Sequence, residues 1–155
     1  MYLNNENCKF YSDALKHIQN CKDDFWKIDN HLDQYLLEIN KSKSIRTLYS
    51  KYGSSNFGNL SYLRFCYAKE LETKIENDLM SMFSSEYKSK RSKFTFYKDE
   101  PKIGYENPKE KHDCLKYISH PEYWNVWNFR IQLDGGNMKF HEKFWERLSE
   151  YLKSL

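Results

Sequence analysis

The first forty residues carry one continuous apolar seam. Tyr11, Ala14, Ile18, Cys21, Phe25, Ile28, Leu32, Tyr35 and Ile39 recur in alternating steps of 3 and 4. That is the period of an α-helix showing one face to a partner. The pattern predicts a helix over about 8–40. Within that one helix, Lys22-Asp23-Asp24 is the point where a break is open, because Asp caps helix starts well. Ile45, Leu48, Tyr49 and Tyr52 continue at helical spacing, and Gly53 is a natural C-cap, so a short helix is expected there. Gly53 to Asn59 reads as loop. Leu60, Leu63, Tyr67, Leu71, Ile75, Leu79 and Met82 then predict a second long helix over about 60–86. Two long helices joined this way make an antiparallel hairpin.

The period changes later in the chain. Lys93 to Lys98 reads as a short strand. In the segment 126–133, Trp127, Phe129, Ile131 and Leu133 alternate with Asn128, Arg130 and Gln132. Such alternation predicts a strand with one buried and one wet face. Two strands alone are marginal, and Lys102 to Tyr105 is the candidate third. Asp113 to Ser119 fits a helical turn. Asp134-Gly135-Gly136 is a turn, and Phe140, Phe144, Leu148 and Tyr151 predict a final helix over about 138–153. The expected class is therefore α+β within one domain, 1–155. Its helical part is 1–87, and a small antiparallel sheet with the last helix follows over 88–155.

Composition narrows the function classes. Of 155 residues, 39% are hydrophobic and 30% charged, so the chain can bury a core. No apolar run approaches the roughly 18 residues of a membrane helix. Residues 1–10 lack the basic-then-apolar order of an export signal, so a cytoplasmic location is expected. On that reading Cys8, Cys21, Cys66 and Cys114, which form no CxxC pair, are reduced thiols. The abundance of Lys, Asn, Tyr and Phe points to an A/T-rich coding sequence, as in a low-GC bacterium, its phage or a plasmid. That bias accounts for part of the 17% aromatic content, but not for the four tryptophans.

Charge is distributed unevenly. Residues 1–40 are net −3, 41–69 net +6, 70–86 net −4 and 87–98 net +5. The first basic segment interleaves Lys41, Lys43, Arg46 and Lys51 with Tyr49 and Tyr52. The second holds Lys88, Lys90, Arg91 and Lys93. Lysine and arginine on phosphates, with aromatics under bases, is how single strands are held without sequence readout. The plainer reading of the same residues is a solvated surface that offsets acidic helices.

Motif chemistry is sparse. Phosphate-cradling glycine loops, a nucleophile elbow and HExxH are absent, and no cofactor is implied. His112, Asp113, Cys114 and His120 form one loose group without the second close pair of a zinc site. Asp99, Glu100 and Lys102 have the acid-x-Lys spacing of metal-dependent nucleases, although Pro101 sits badly in a central strand. Tyr123 and Trp124, at the entrance of the last strand, are candidate interface anchors; otherwise they plug the core. The first functional expectation is a binding protein with a protein partner, such as an inhibitor, immunity or anti-defence protein. The alternative is a nucleic-acid binder using 41–52 and 88–93. A small metal-dependent nuclease is third. The seam of the first helix is open to the second helix or to another copy of the chain.

Overall fold

A computed structural model describes residues 1–53, 59–84, 92–104 and 112–155. The elements run α1 (Cys8–Gln19), α2 (Asn30–Ile39), β1 (Ile45–Lys51), β2 (Leu60–Tyr67), α3 (Glu72–Ser84), β3 (Ser92–Asp99), β4 (Asn128–Gly135) and α4 (Met138–Lys153). Short 3-10 turns occupy Lys69–Leu71 and Asp113–Leu115. The class is α+β, with a four-stranded, wholly antiparallel sheet of order β1-β2-β4-β3. No described helix is long and apolar enough to cross a membrane.

The long helical hairpin is not formed. The first seam is cut into α1 and α2 by residues 20–29. Asp23 turns its carboxylate onto the Phe25 N–H at 2.9 Å, and Asp29 caps α2 through the His31 N–H at 2.8 Å. Each aspartate offers the backbone a partner that competes with the helix. The two halves of the seam then bury in different places. Tyr11 and Ala14 join one cluster, Leu32, Leu36 and Ile39 another, and Phe25 is 81% exposed.

The expected helices over 45–52 and 60–67 are strands. β1 carries a bulge at Leu48, where the register with β2 shifts between Thr47 and Tyr49. The extra residue breaks the two-residue alternation, so the apolar positions came to mimic helical spacing. In β2, Ser61, Leu63, Phe65 and Tyr67 alternate inward, and Cys66 is buried on the opposite face. A serine among the inward positions and Leu60, Tyr62 and Cys66 on the other face hid the strand period. The helix expected over 60–86 begins only at Glu72, where Ile75, Leu79 and Phe83 bury at i, i+4 and i+8.

β3 and α4 lie where the pattern put them, whereas β4 runs two residues later than the expected 126–133, so that Trp127 precedes the strand and Asn128, expected on the wet face, is buried. Asn137 caps α4 through the Phe140 N–H at 2.9 Å. Gly135 and Gly136 take φ of 84° and 82°, a left-handed turn that glycine tolerates best. The strands that complete the sheet are β1 and β2. The part of the Lys102–Tyr105 candidate that is described is not a strand, and the Lys102 N–H donates to the Trp124 carbonyl at 2.8 Å.

Helices α2, α3 and α4 cover one face of the sheet, over Ile45, Leu63, Phe65, Tyr67, Phe129, Ile131 and Leu133. Among the described residues, the other face is covered only at one end. There α1 and residues 114–126 pack Tyr11, Ala14, Tyr123, Trp124 and Val126 over Leu48 and Cys66. A disulfide joins Cys21 to Cys114, with Cα atoms 5.4 Å apart. This corrects the expectation of four reduced thiols. Cys8 and Cys66 are free, and burial raises the Cys66 thiol pKa far above its ordinary value.

Candidate nucleic-acid interface

Strand alternation sends one residue of every pair into the helical core and the other to the opposite face. On that opposite face, antiparallel register aligns cross-strand rows. One row runs Tyr49, Arg64, Arg130, Tyr97 across β1, β2, β4 and β3. The next runs Lys51, Tyr62, Gln132, Thr95. Beyond it, Leu60 pairs Asp134, which pairs Lys93. Tyr49 and Tyr97, at the two ends of the first row, are 41% and 45% exposed.

The rings and guanidinium groups are held by one another. Tyr49 and Tyr62 stack with centroids 5.7 Å apart. The Arg130 guanidinium lies 4.6 Å from the Tyr97 ring centroid, and that of Arg64 lies 5.2 Å from Trp124. Arg64 also forms an ion pair with Asp99. The two arginines sit directly opposite each other, an arrangement that costs free energy between like charges. Asp99 balances only one of them. Among the described residues, the Nε atoms of both are buried and have no hydrogen-bond partner. On this face Lys51, Arg64, Arg130 and Lys93 outnumber Asp99 and Asp134. Burial, followed by the neighbouring Tyr49, raises the Tyr62 hydroxyl pKa well above the ordinary tyrosine value, so it stays a neutral donor.

Of the residues singled out from sequence, this face gathers Tyr49, Lys51 and Lys93. Others have structural work. Arg46 donates to Ser12 Oγ at 2.9 Å and to the Ser42 and Ile45 carbonyls at 2.6 Å, tying α1 to β1. Lys41 is ion-paired with Glu38, which Lys153 also holds at 2.7 Å. Those two lysines, Lys153 first, lower the Glu38 pKa to about 2. Lys43 is exposed and lies outside the rows. Tyr52 stacks between His31 and Trp145, at 5.5 and 6.3 Å. Tyr123 and Trp124 are 3% and 9% exposed, so they are core plugs and not surface anchors. Lys88, Lys90 and Arg91 lie outside the described residues.

Tyr62, Arg64, Tyr97 and Arg130 were missed as site residues. The polar half of the β4 alternation pointed at Arg130. Tyr97 followed from the same logic in β3. Nothing short of the β2 assignment could have placed Arg64 and Tyr62.

Among the described residues, the other candidate groups are engaged elsewhere. Asp99 is engaged by Arg64, and Pro101 follows the end of β3. Cys114 is in the disulfide, His112 Nε2 faces Asp23 at 3.2 Å, and His120 Nδ1 accepts from the Glu122 N–H at 3.1 Å. Among the described residues no three His, Cys, Asp or Glu converge as metal ligands do.

A cavity of about 470 Å³ lies around the β1 edge of this face and shares Tyr49 and Lys51 with it. Comparison with protein-family models, characterised proteins and solved structures finds no match to this chain.

Proposed function

We propose that this protein is a binding module whose open sheet face takes single-stranded nucleic acid. The observation that carries the reading is the row Tyr49-Arg64-Arg130-Tyr97, with exposed rings at its ends and two insufficiently balanced guanidinium groups between them. Phosphates pair with Arg64, Arg130, Lys51 and Lys93. Bases stack on Tyr49 and Tyr97, as sheet platforms hold unpaired bases. The test is fluorescence anisotropy with labelled single- and double-stranded RNA and DNA between roughly 50 and 200 mM salt. Tighter binding of single strands, weakening with salt, is expected. Absence of salt-dependent binding, or equal affinity for duplexes, overturns the reading. A protein partner is the second reading, favoured by the apolar cavity beside β1.

A further inference from the structure

The sheet has two edge strands, β1 and β3. The β1 edge is closed in part from within the chain. The Thr47 N–H donates to Asn40 Oδ1 at 3.2 Å, and the Leu48 carbonyl accepts the Tyr123 hydroxyl. β3 is different. Among the described residues, Lys93 to Asp99 make no backbone–backbone hydrogen bonds outside the ladder with β4. Phe94 and Phe96, on the helical side of this strand, are only half-buried, although Phe94 stacks on Phe83 and Phe96 on Phe129. A run of unpaired backbone groups beside half-buried rings is a template for another strand.

The residues of β3 select the strand that fits. Residues directly opposite in an antiparallel pair lie on the same face of the sheet. Two copies of β3 paired about Phe96 therefore set Lys93 opposite the partner's Asp99 and Thr95 opposite the partner's Tyr97, each pair occurring twice, with Phe96 opposite the partner's Phe96. Centring on Thr95 instead sets Lys93 opposite the partner's Tyr97, and centring on Tyr97 sets Asp99 opposite the partner's Thr95. Only the Phe96 register joins opposite charges. The charges behind the seam continue the alternation. Asp134 lies opposite Lys93 on β4, and Arg64 is ion-paired with Asp99. The order across the seam is then Asp134, Lys93, the partner's Asp99, the partner's Arg64, with no like charges adjacent. Lysine on an edge normally blunts strand pairing; in this register each lysine meets an acid. We infer that β3 is a homodimer interface, at which two copies of this chain pair antiparallel about Phe96. Alternation of the backbone groups gives about six to eight main-chain hydrogen bonds across it. The two four-stranded sheets become one. Such a contact uses the same patch on both copies and closes at two. It stands on this edge alone and does not require the open face to bind nucleic acid.

The test is sedimentation equilibrium of the full chain from roughly 10 μM to 1 mM, with amide hydrogen exchange at both ends of that range. A concentration-dependent doubling of mass is expected, with alternate amides of residues 93–99 gaining protection and those of β1 unchanged. Register is tested by exchanging charges. Lys93→Glu sets an acid against the partner's Asp99 at two places, and Asp99→Lys sets a base against the partner's Lys93 at two places. Each variant alone should raise the dimer dissociation constant about five- to thirtyfold at low salt. Mixed in equal amounts, the two variants restore both opposite-charge pairs, and the mixture should dimerise at least about fivefold more tightly than either variant alone. A variant that merely fails to fold gives no such recovery. A chain that stays monomeric at roughly 1 mM overturns the inference. So does a dimer whose protection falls on α1 or β1 and leaves β3 unchanged. Dissociation of the single variants without recovery on mixing overturns the Phe96 register, and with it the choice of a second copy as the occupant.

Discussion

Ser61 is the most connected small side chain in the core. Its hydroxyl accepts from the Gly53 N–H at 2.9 Å and from Trp145 Nε1 at 3.1 Å, and lies 2.7 Å from His141 Nδ1. His141 Nε2 faces the Gly135 carbonyl at 2.7 Å. A carbonyl only accepts, so Nε2 carries the proton and Nδ1 accepts from Ser61. Ser61 and His141 are fully buried, which makes this a structural latch between β2, the chain after β1 and α4. Ser61→Ala leaves three buried polar groups short of a partner and should cost at least about 1–3 kcal/mol in urea unfolding. At Gly53 an added Cβ would stand 2.7 Å from His141 Nδ1, so Gly53→Ala should cost about 1–3 kcal/mol through overpacking. Burial lowers the His141 pKa below its ordinary value, against smaller opposing effects of the Gly135 carbonyl and Asp134. The unfolded chain then binds the proton more readily than the folded one. This contribution to stability is complete above about pH 6.5 and is lost as pH falls from there toward the folded value. A urea midpoint that falls from pH 7 to pH 5, with an NMR titration of His141 below the ordinary histidine value, is the expected result.

At the scale of elements, the disulfide and the sheet rows matter most. Cys21 sits in the link between α1 and α2, and Cys114 in the segment beside the β1 cavity, 93 residues away in sequence. Closing so long a loop restricts the unfolded chain, and about 2–4 kcal/mol is expected from it. Cys21→Ser, or dithiothreitol on the unmodified chain, should lower the melting temperature; an unchanged melting curve would mean the bond contributes nothing. On the open face, Tyr97→Ala removes a stacking surface and the ring under Arg130, and should weaken single-strand binding by about 1–3 kcal/mol. Arg130→Gln should reduce the salt slope by about 0.7, the share of one phosphate contact on a single strand. Trp124→Phe, behind Arg64 in the core, is the control that should change stability more than the salt slope.

At the scale of the molecule, the two faces of the sheet divide the work. Helices α2, α3 and α4 seal one face into the main core. Among the described residues the other is sealed where α1 and residues 114–126 reach, and beyond them Tyr49 and Tyr97 are exposed. If the open face is the interface, its basic rows should be protected from amide exchange and from lysine modification by an oligonucleotide, Lys93 above all, while exposed Lys43 stays reactive. Protection of Lys43 with Lys93 unaffected would place the interface elsewhere.

The sequence determined the elements whose apolar period was undisturbed. β4 alternates cleanly because one face is buried and the other wet, and α4 has a single buried stripe with Asn137 to start it. The aspartates that divide the first seam were visible too, although the length of the break was not. Tertiary structure decided the rest. β2 places Ser61 among its inward positions and Leu60, Tyr62 and Cys66 on the other face, and β1 is bulged, so neither shows a clean two-residue period in sequence, and each becomes a strand only by pairing with a neighbour. The site shared that fate. Tyr49, Lys51 and Lys93 could be named from charge and aromatic content, but the central Arg64–Arg130 pair exists only through register between β2 and β4. The bond between Cys21 and Cys114 has the same origin, since adjacency across 93 residues is a property of packing and not of spacing along the chain.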